Sequence, residues 1–169
     1  MIGTQYQHDK IKQDTDGSTR QTAATGFFDT QTRTLSYNEA EQSNTSLFAQ
    51  NDWRFADDWT WTVGARQYWL SSKLKRNDTQ TLQSSGSTWQ STGGNSVHDD
   101  ELVTSTSLRY SGFEDLELRA AYAQGYVFPT LTQLFMQTSA GGSVTYGNPN
   151  LKAEHSNNYE LGARYKGNM

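Results

Sequence analysis

Two stretches of this chain alternate between apolar and polar side chains so regularly that they read as β-strands. In Trp59–Leu70, WTWTVGARQYWL, one set contains Trp59, Trp61, Val63, Ala65 and Trp69, and the other contains Thr60, Thr62, Gly64, Arg66 and Tyr68. In the second stretch Tyr159, Leu161, Ala163 and Tyr165 alternate with Asn158, Glu160, Gly162, Arg164 and Lys166. Successive side chains of a strand point to opposite faces, so each stretch has one greasy, aromatic face and one polar, charged face. Two folds fit this pattern. A soluble sandwich would bury the aromatics and wet the charges. A strand crossing a bilayer would turn the aromatics outward, with Trp59, Trp61 and Trp69 bracketing Val63 and Ala65 as aromatic girdles bracket a hydrocarbon band.

The connections separate the two folds. Weaker strand patterns cover Met1–Gln13, Ser43–Trp53, Glu101–Ser111 and Leu116–Ala123. Asp14–Gln42, broken only by Gly26-Phe27-Phe28 and Leu35-Ser36-Tyr37, is polar and without period, as are Lys75–Asp100 and the excursion from Gly125 to His155. All three are expected to be long loops. Arg54–Asp58 and Gly112–Asp115 are tight connections rich in turn-forming residues. Long and short links therefore alternate, which in an antiparallel meander gathers every long loop at one end, as transmembrane barrels do. Arg66, Arg109, Glu117, Arg119, Glu160 and Arg164 all fall on the face opposite the aromatics, where they would line a lumen. The expected fold class is all-β, an antiparallel up-and-down meander forming part of a transmembrane β-barrel. About six strands cannot close such a barrel, which starts at about eight. Residues 1–169 are thus expected to be one partial barrel domain of a larger barrel, with neither a signal peptide nor a plug recognisable.

Composition agrees. Only 33% of the 169 residues are hydrophobic and mean hydropathy is −0.85, yet 12% are aromatic. Aromatics suit a pleated surface that is apolar on one side only. A net charge of −4 with no basic cluster argues against nucleic acid as a partner. With no cysteine there are neither disulfides nor thiolate metal sites, and His8, His98 and His155 are too scattered for a metal-site spacing, so no metal site and no cofactor is expected. No hydrolase elbow, zinc-protease helix or phosphate loop is present, so no catalytic residue is assigned and the chain is not read as an enzyme.

Three blocks carry a family likeness. LRAAYAQGYVFPTLTQLF (Leu118–Phe135) and GNPNLKAEHSNNYELGARYK (Gly147–Lys166) resemble the central barrel region of TonB-dependent outer-membrane receptors, and SLFAQNDWRFADDWTWTVGARQY (Ser46–Tyr68) is similar to the hairpin upstream of it. Family-motif positions are Gly125, Pro129, Gly147, Asn148, Pro149, Leu151, Lys152, Glu154 and Glu160, to which structural roles are expected to fall. The resemblance implies a 22-stranded barrel in the bacterial outer membrane, filled by an N-terminal plug and energised through TonB by way of a region this sequence lacks. It also implies contact with outer-membrane lipid and lipopolysaccharide, and uptake of a metal chelate, either siderophore or haem. Haem receptors of the family place a histidine between an F-R-A-P element and an N-P-N-L element. Val127-Phe128-Pro129-Thr130 lacks that arginine and His155 lies after Asn148–Leu151, so a ferric siderophore is expected ahead of haem. Ligand-binding candidates in the expected extracellular loops are Tyr126, Phe128, Phe135, Tyr146, His155 and Trp89. Lumen-facing candidates are Arg66, Arg109, Arg119, Glu160 and Arg164. The rival reading is a secreted soluble β-sandwich that binds carbohydrate or another ligand through exposed Trp and Tyr; its core would have to include Thr60, Thr62 and Arg66, a poor choice.

Overall fold

The computed structural model describes residues 1–22, 29–140 and 143–167. Gly26-Phe27-Phe28 therefore lies outside the described residues. In chain order the elements are strands β1 (Ile2–Thr22), β2 (Asp29–Ala56), β3 (Trp59–Gln83), β4 (Gly86–Thr92), β5 (Ser96–Tyr110) and β6 (Leu116–Val127), helix α1 (Leu131–Phe135), a small hairpin of β7 (Thr138–Ala140) and β8 (Ser143–Thr145), and strand β9 (Glu154–Tyr165). The long strands pair antiparallel in the order β1-β2-β3-β5-β6-β9, with β4 on the upper part of β3. This is an all-β half-barrel, and among the described residues the outer edges of β1 and β9 have no strand partner.

Two of the three expected long loops are strands. The polar Asp14–Gln42 region continues the β1–β2 ladder without a break from Ile2↔Ala49 to Thr22↔Asp29. Lys75–Asp100 likewise extends β3 to Gln83 and returns as β4 and the start of β5. At Gly93-Gly94-Asn95 the returning strand bulges. Gly94 takes φ +86°, a value that favours glycine, and it and Asn95 exchange hydrogen bonds with Leu74. The misreading has a simple cause. Apolar alternation reports a boundary between oil and water, and where both faces of a hairpin are wet the alternation vanishes although the backbone ladder continues. Only the third excursion, between β6 and β9, leaves the sheet.

Register fixes the two faces, because residues directly opposite in an antiparallel pair share one. One row runs Trp53, Trp61, Leu108, Ala120, Leu161 across β2, β3, β5, β6 and β9, and the next runs Trp59, Tyr110, Leu118, Ala163. At the short-turn end the rings of Trp53, Phe55, Trp59, Tyr110 and Phe113 form a chain with neighbouring centroids 4.6–6.2 Å apart. At the other end the row Tyr6, Thr45, Trp69, Asp100 closes the apolar band. From Trp59 to Trp69 is about 33 Å of strand at ~3.3 Å per residue. At the usual tilt of about 40° that makes a band roughly 25 Å tall, the height of a barrel's hydrocarbon belt. Large apolar side chains in the band are open to the outside, among them Leu102 at 54% and Leu161 at 88% exposure, which in a sheet with no outer layer calls for lipid.

Above Trp69 the same face turns ionic. Lys10 and Lys12 meet Glu39, Lys75 meets Glu41 at 2.6 Å, Arg33 meets Asp16, and Arg76 pairs with Asp78 beside Tyr37. The Lys10 ammonium holds Glu39 below the usual carboxylate range, and Lys75 does the same for Glu41. Asp16 is lowered by the Arg33 hydrogen bonds, and Asp78 by those from Ser91 and Arg76.

Two outcomes follow. Val63→Arg places a cation in the apolar band and should cost about 2–4 kcal/mol of folding free energy in lipid vesicles. Thr62→Arg, one residue along and beside Asp52, should cost less than about 1 kcal/mol; equal costs in urea titrations of the barrel would refute the facing. In acid the extensions should loosen. Their carboxyls titrate lower folded than unfolded, so the stabilisation is present above about pH 4 and is lost as pH falls through the folded values. Hydrogen exchange, corrected for intrinsic rates, should accelerate at pH 3 in residues 10–22, 29–41 and 73–91 before the ladder of the apolar band.

Candidate functional site

The inner face of the half-barrel is polar from the short turns to the mouth. In its lower half the rows Asp52, Thr62, Ser107, Ala121, Glu160 and Arg54, Thr60, Arg109, Arg119 line an open groove of about 870 Å³. Thr62 Oγ1 donates to Asp52 Oδ1 at 2.7 Å and Arg109 Nη2 to Thr60 Oγ1 at 3.3 Å. Glu117 lies opposite Arg164 and 3.8 Å from Lys166 Nζ. Arg66 stands higher on this face, between the rings of Phe48 and Tyr68.

Toward the mouth the wall changes. The β5–β6 ladder stops at Ser105↔Ala123, and the side-chain oxygen of Gln124 then takes the Thr104 N–H at 2.9 Å, filling the place of the missing strand partner. Beyond this point β6 stays with β9 but leaves β5, and its last turn-facing residues swing across the opening. Tyr126 donates to Asp99 Oδ2 at 3.1 Å and its ring lies 5.5 Å from that of Tyr68 and 5.7 Å from that of His155. His155 Nδ1 is 3.8 Å from Glu101 Oε1. Three strands thus bring Tyr68, Tyr126 and His155 into one aromatic tier with Asp99 and Glu101 beside it. Such a tier can stack on a flat or ring-bearing ligand while the carboxylates and phenols accept or donate hydrogen bonds. Gly125 faces Ser156 here, and a Cβ would fall 2.3 Å from Ser156 Oγ unless that side chain turned away.

The third excursion turns inward. Ile11, Ala40, Leu74 and Val97 form an apolar patch on the inner face of β1, β2, β3 and β5, and Leu131, Leu134, Phe135 and Met136 bury themselves on it, with Phe128 at the margin. Thr130 opens α1 with a capping box: its hydroxyl accepts from the Gln133 N–H, and Gln133 reaches back to the Thr130 N–H at 2.9 Å. Side chains of the wall hold the segment at both ends, Gln42 Nε2 on the Pro129 carbonyl at 3.4 Å and Gln13 Nε2 on that of Gln137 at 3.3 Å. Its return is locked by Asn148 N–H on the Gln133 carbonyl at 2.8 Å, an approach open only to glycine at 147, where a Cβ would lie 2.5 Å from the Phe135 nitrogen. Asn148 then accepts from Asn150 N–H through its side chain and from Leu151 N–H through its carbonyl, closing the turn around Pro149.

The six ligand candidates therefore separate. Tyr126 and His155 meet in the mouth tier. Phe135 is buried at 8% exposure and Phe128 packs beside it, so both are spent on the inward segment. Tyr146 is 72% exposed on the return, and Trp89 stands on β4, opposite Gln80 on the outlying extension, away from the tier. Leu151, Lys152 and Glu154 border a small cleft with Val127, Phe128 and Pro129. Sequence reasoning passed over Tyr68, Asp99 and Glu101. Tyr68 shares the parity of Arg66, and Glu101 that of Arg109, both usable signals; Asp99 was hidden inside a stretch taken for loop.

Leu134→Ala should remove about 2–4 kcal/mol of the segment's attachment, and Gly147→Val should displace its return. Both should appear as faster protease cleavage within residues 128–150, with the barrel's heat-modifiable gel mobility retained; unchanged cleavage would show that the inward packing does not hold the segment.

A family model described as "TonB dependent receptor-like, beta-barrel" matches residues 1–169. No curated protein and no solved structure matches the chain significantly.

Proposed function

The chain belongs to the TonB-dependent receptor-like β-barrel family, a receptor and transporter family rather than an enzyme family, and on that premise we propose that it supplies barrel wall and mouth for the uptake of an iron chelate, a ferric siderophore rather than haem. All 169 residues then serve as one partial barrel domain, within a barrel of about 22 strands in the bacterial outer membrane, with the plug and the TonB contact supplied by other regions. Lipid and lipopolysaccharide surround the aromatic band, and the arginines and glutamates of the lower groove face the barrel's contents.

The observation that carries this reading is the tier of Tyr68, Tyr126 and His155 at the end of the inner wall where the extensions rise. Its rings suit the ligand shell of a chelate, and the polar lower groove offers a path beyond it. Preference for a siderophore over haem rests on the sequence elements: Val127-Phe128-Pro129-Thr130 lacks the arginine of the haem-receptor element, and His155 follows Asn148–Leu151 instead of preceding it.

The test is quenching of tryptophan emission in the receptor reconstituted in liposomes. An iron(III) trihydroxamate should bind with a Kd of about 1 μM or lower, equivalent to about −8 kcal/mol. Tyr126→Ala should weaken that binding by about tenfold, the loss of one stacked ring at roughly 0.5–1.5 kcal/mol together with its buried area. Tighter binding of haemin, with a Soret shift abolished by His155→Ala, would replace the siderophore reading by the haem one.

A further inference from the structure

Below the mouth tier the inner wall holds a cation that lacks a counter-charge. The guanidinium of Arg66 lies 4.9 Å from the centroid of the Phe48 ring and 5.3 Å from that of Tyr68. Phe48 can lean into this position because it crosses Gly3, where a Cβ would meet the ring at 2.5 Å. Nη2 donates to Gln5 Oε1 at 2.7 Å and Nη1 to the Tyr68 hydroxyl at 3.4 Å. The Nε–H is shielded from solvent and has no acceptor, and no described carboxylate forms an ion pair with Arg66.

Arg33, Arg76, Lys10 and Lys75 are more exposed than Arg66, and each meets a carboxylate. Two aromatic faces and two neutral oxygens orient the Arg66 fork without neutralising it, and an orphaned N–H on a charged group carries a full desolvation cost. Beside it the wall is open. A cleft of about 300 Å³ has ten lining residues, among them Phe48, Gln50, Gly64, Arg66 and Ser105. Gly64 keeps it clear, since a Cβ there would come 2.8 Å from Ser105 Oγ. Gln50 and Ser105 offer neutral hydrogen-bonding groups, and none of the ten lining residues is an acid. The space lies at the small end of ligand-pocket sizes, and a fixed planar fork beside neutral hydrogen-bonding groups is the arrangement that recognises a carboxylate.

We infer that the cleft beside Arg66 is a carboxylate-binding site of the inner wall, with Arg66 as the residue that reads the charge. The carboxylate comes either from a chelate that carries one or from an acidic side chain of the segment filling the barrel. The first source deepens the uptake reading above and rests on it; the second does not.

The experiment compares Arg66→Lys and Arg66→Gln with the wild type in the full receptor in liposomes. It measures binding of iron(III) citrate and of a carboxylate-free iron(III) trihydroxamate, together with the melting temperature without ligand. Loss of about tenfold or more in citrate affinity for Arg66→Gln, partly restored in Arg66→Lys, with the trihydroxamate unaffected, identifies a chelate carboxylate. Unchanged binding of both probes with a melting temperature lowered in Arg66→Gln and restored in Arg66→Lys identifies an interior carboxylate. If Lys and Gln behave alike in both measurements, charge is not being read and the site is refuted. Should neither chelate bind the wild type, the uptake reading fails, while the melting comparison still decides the role of Arg66.

Discussion

In hydrocarbon a backbone N–H or C=O without a partner costs several kcal/mol, and this constraint decides the form of the molecule. Every residue of β1 has a partner on β2, and β3 is paired on both sides from Trp59 to Lys73. The ladder comes first and side chains decorate it. Where β6 parts from β5, just inside the mouth, a side chain takes over the vacated ladder position through Gln124. The divergence begins level with Ala65, four residues short of the Trp69 row, and it is what lets Tyr126 and His155 leave their own strands' regular facing and join Tyr68.

A barrel wall has no ordinary core, and the small one here sits on the inside. Facing lipid, leucine gains nothing by meeting leucine; facing a wet lumen, it does. Leu131, Leu134, Phe135 and Met136 therefore find their burial against Ala40 and Leu74 on the inner face, and the segment after β6 is drawn inward rather than standing away from the sheet. The inward segment and the mouth tier share their roots, since Tyr126 and His155 face one another where the excursion leaves β6 and rejoins β9. Packing of the first thereby sets the position of the second.

The alternation in Trp59–Leu70 and Tyr159–Lys166 was sufficient to give those strands and their two faces, the sorting of long and short connections pointed to the membrane-barrel class, and the family-motif blocks agreed with the match over the whole chain. The polar extensions were not legible. Thr15 to Thr22 and Thr79 to Gln83 carry no period because both of their faces are wet, and their pairing is held by ladders and by ion pairs such as Arg33–Asp16 that leave no mark in a hydropathy pattern. The same blindness hid Asp99, to which Tyr126 bonds at the mouth.

Sequence by itself determined what each strand is: side chains alternate at a fixed period of two, so the chemistry of both faces is written in order along the chain. Only the tertiary structure decided what meets at the mouth. Tyr68, Tyr126 and His155 are far apart in sequence, and whether they touch depends on where one ladder ends and on which way the intervening segment folds. Those outcomes come from non-local pairing and burial, which no local pattern encodes.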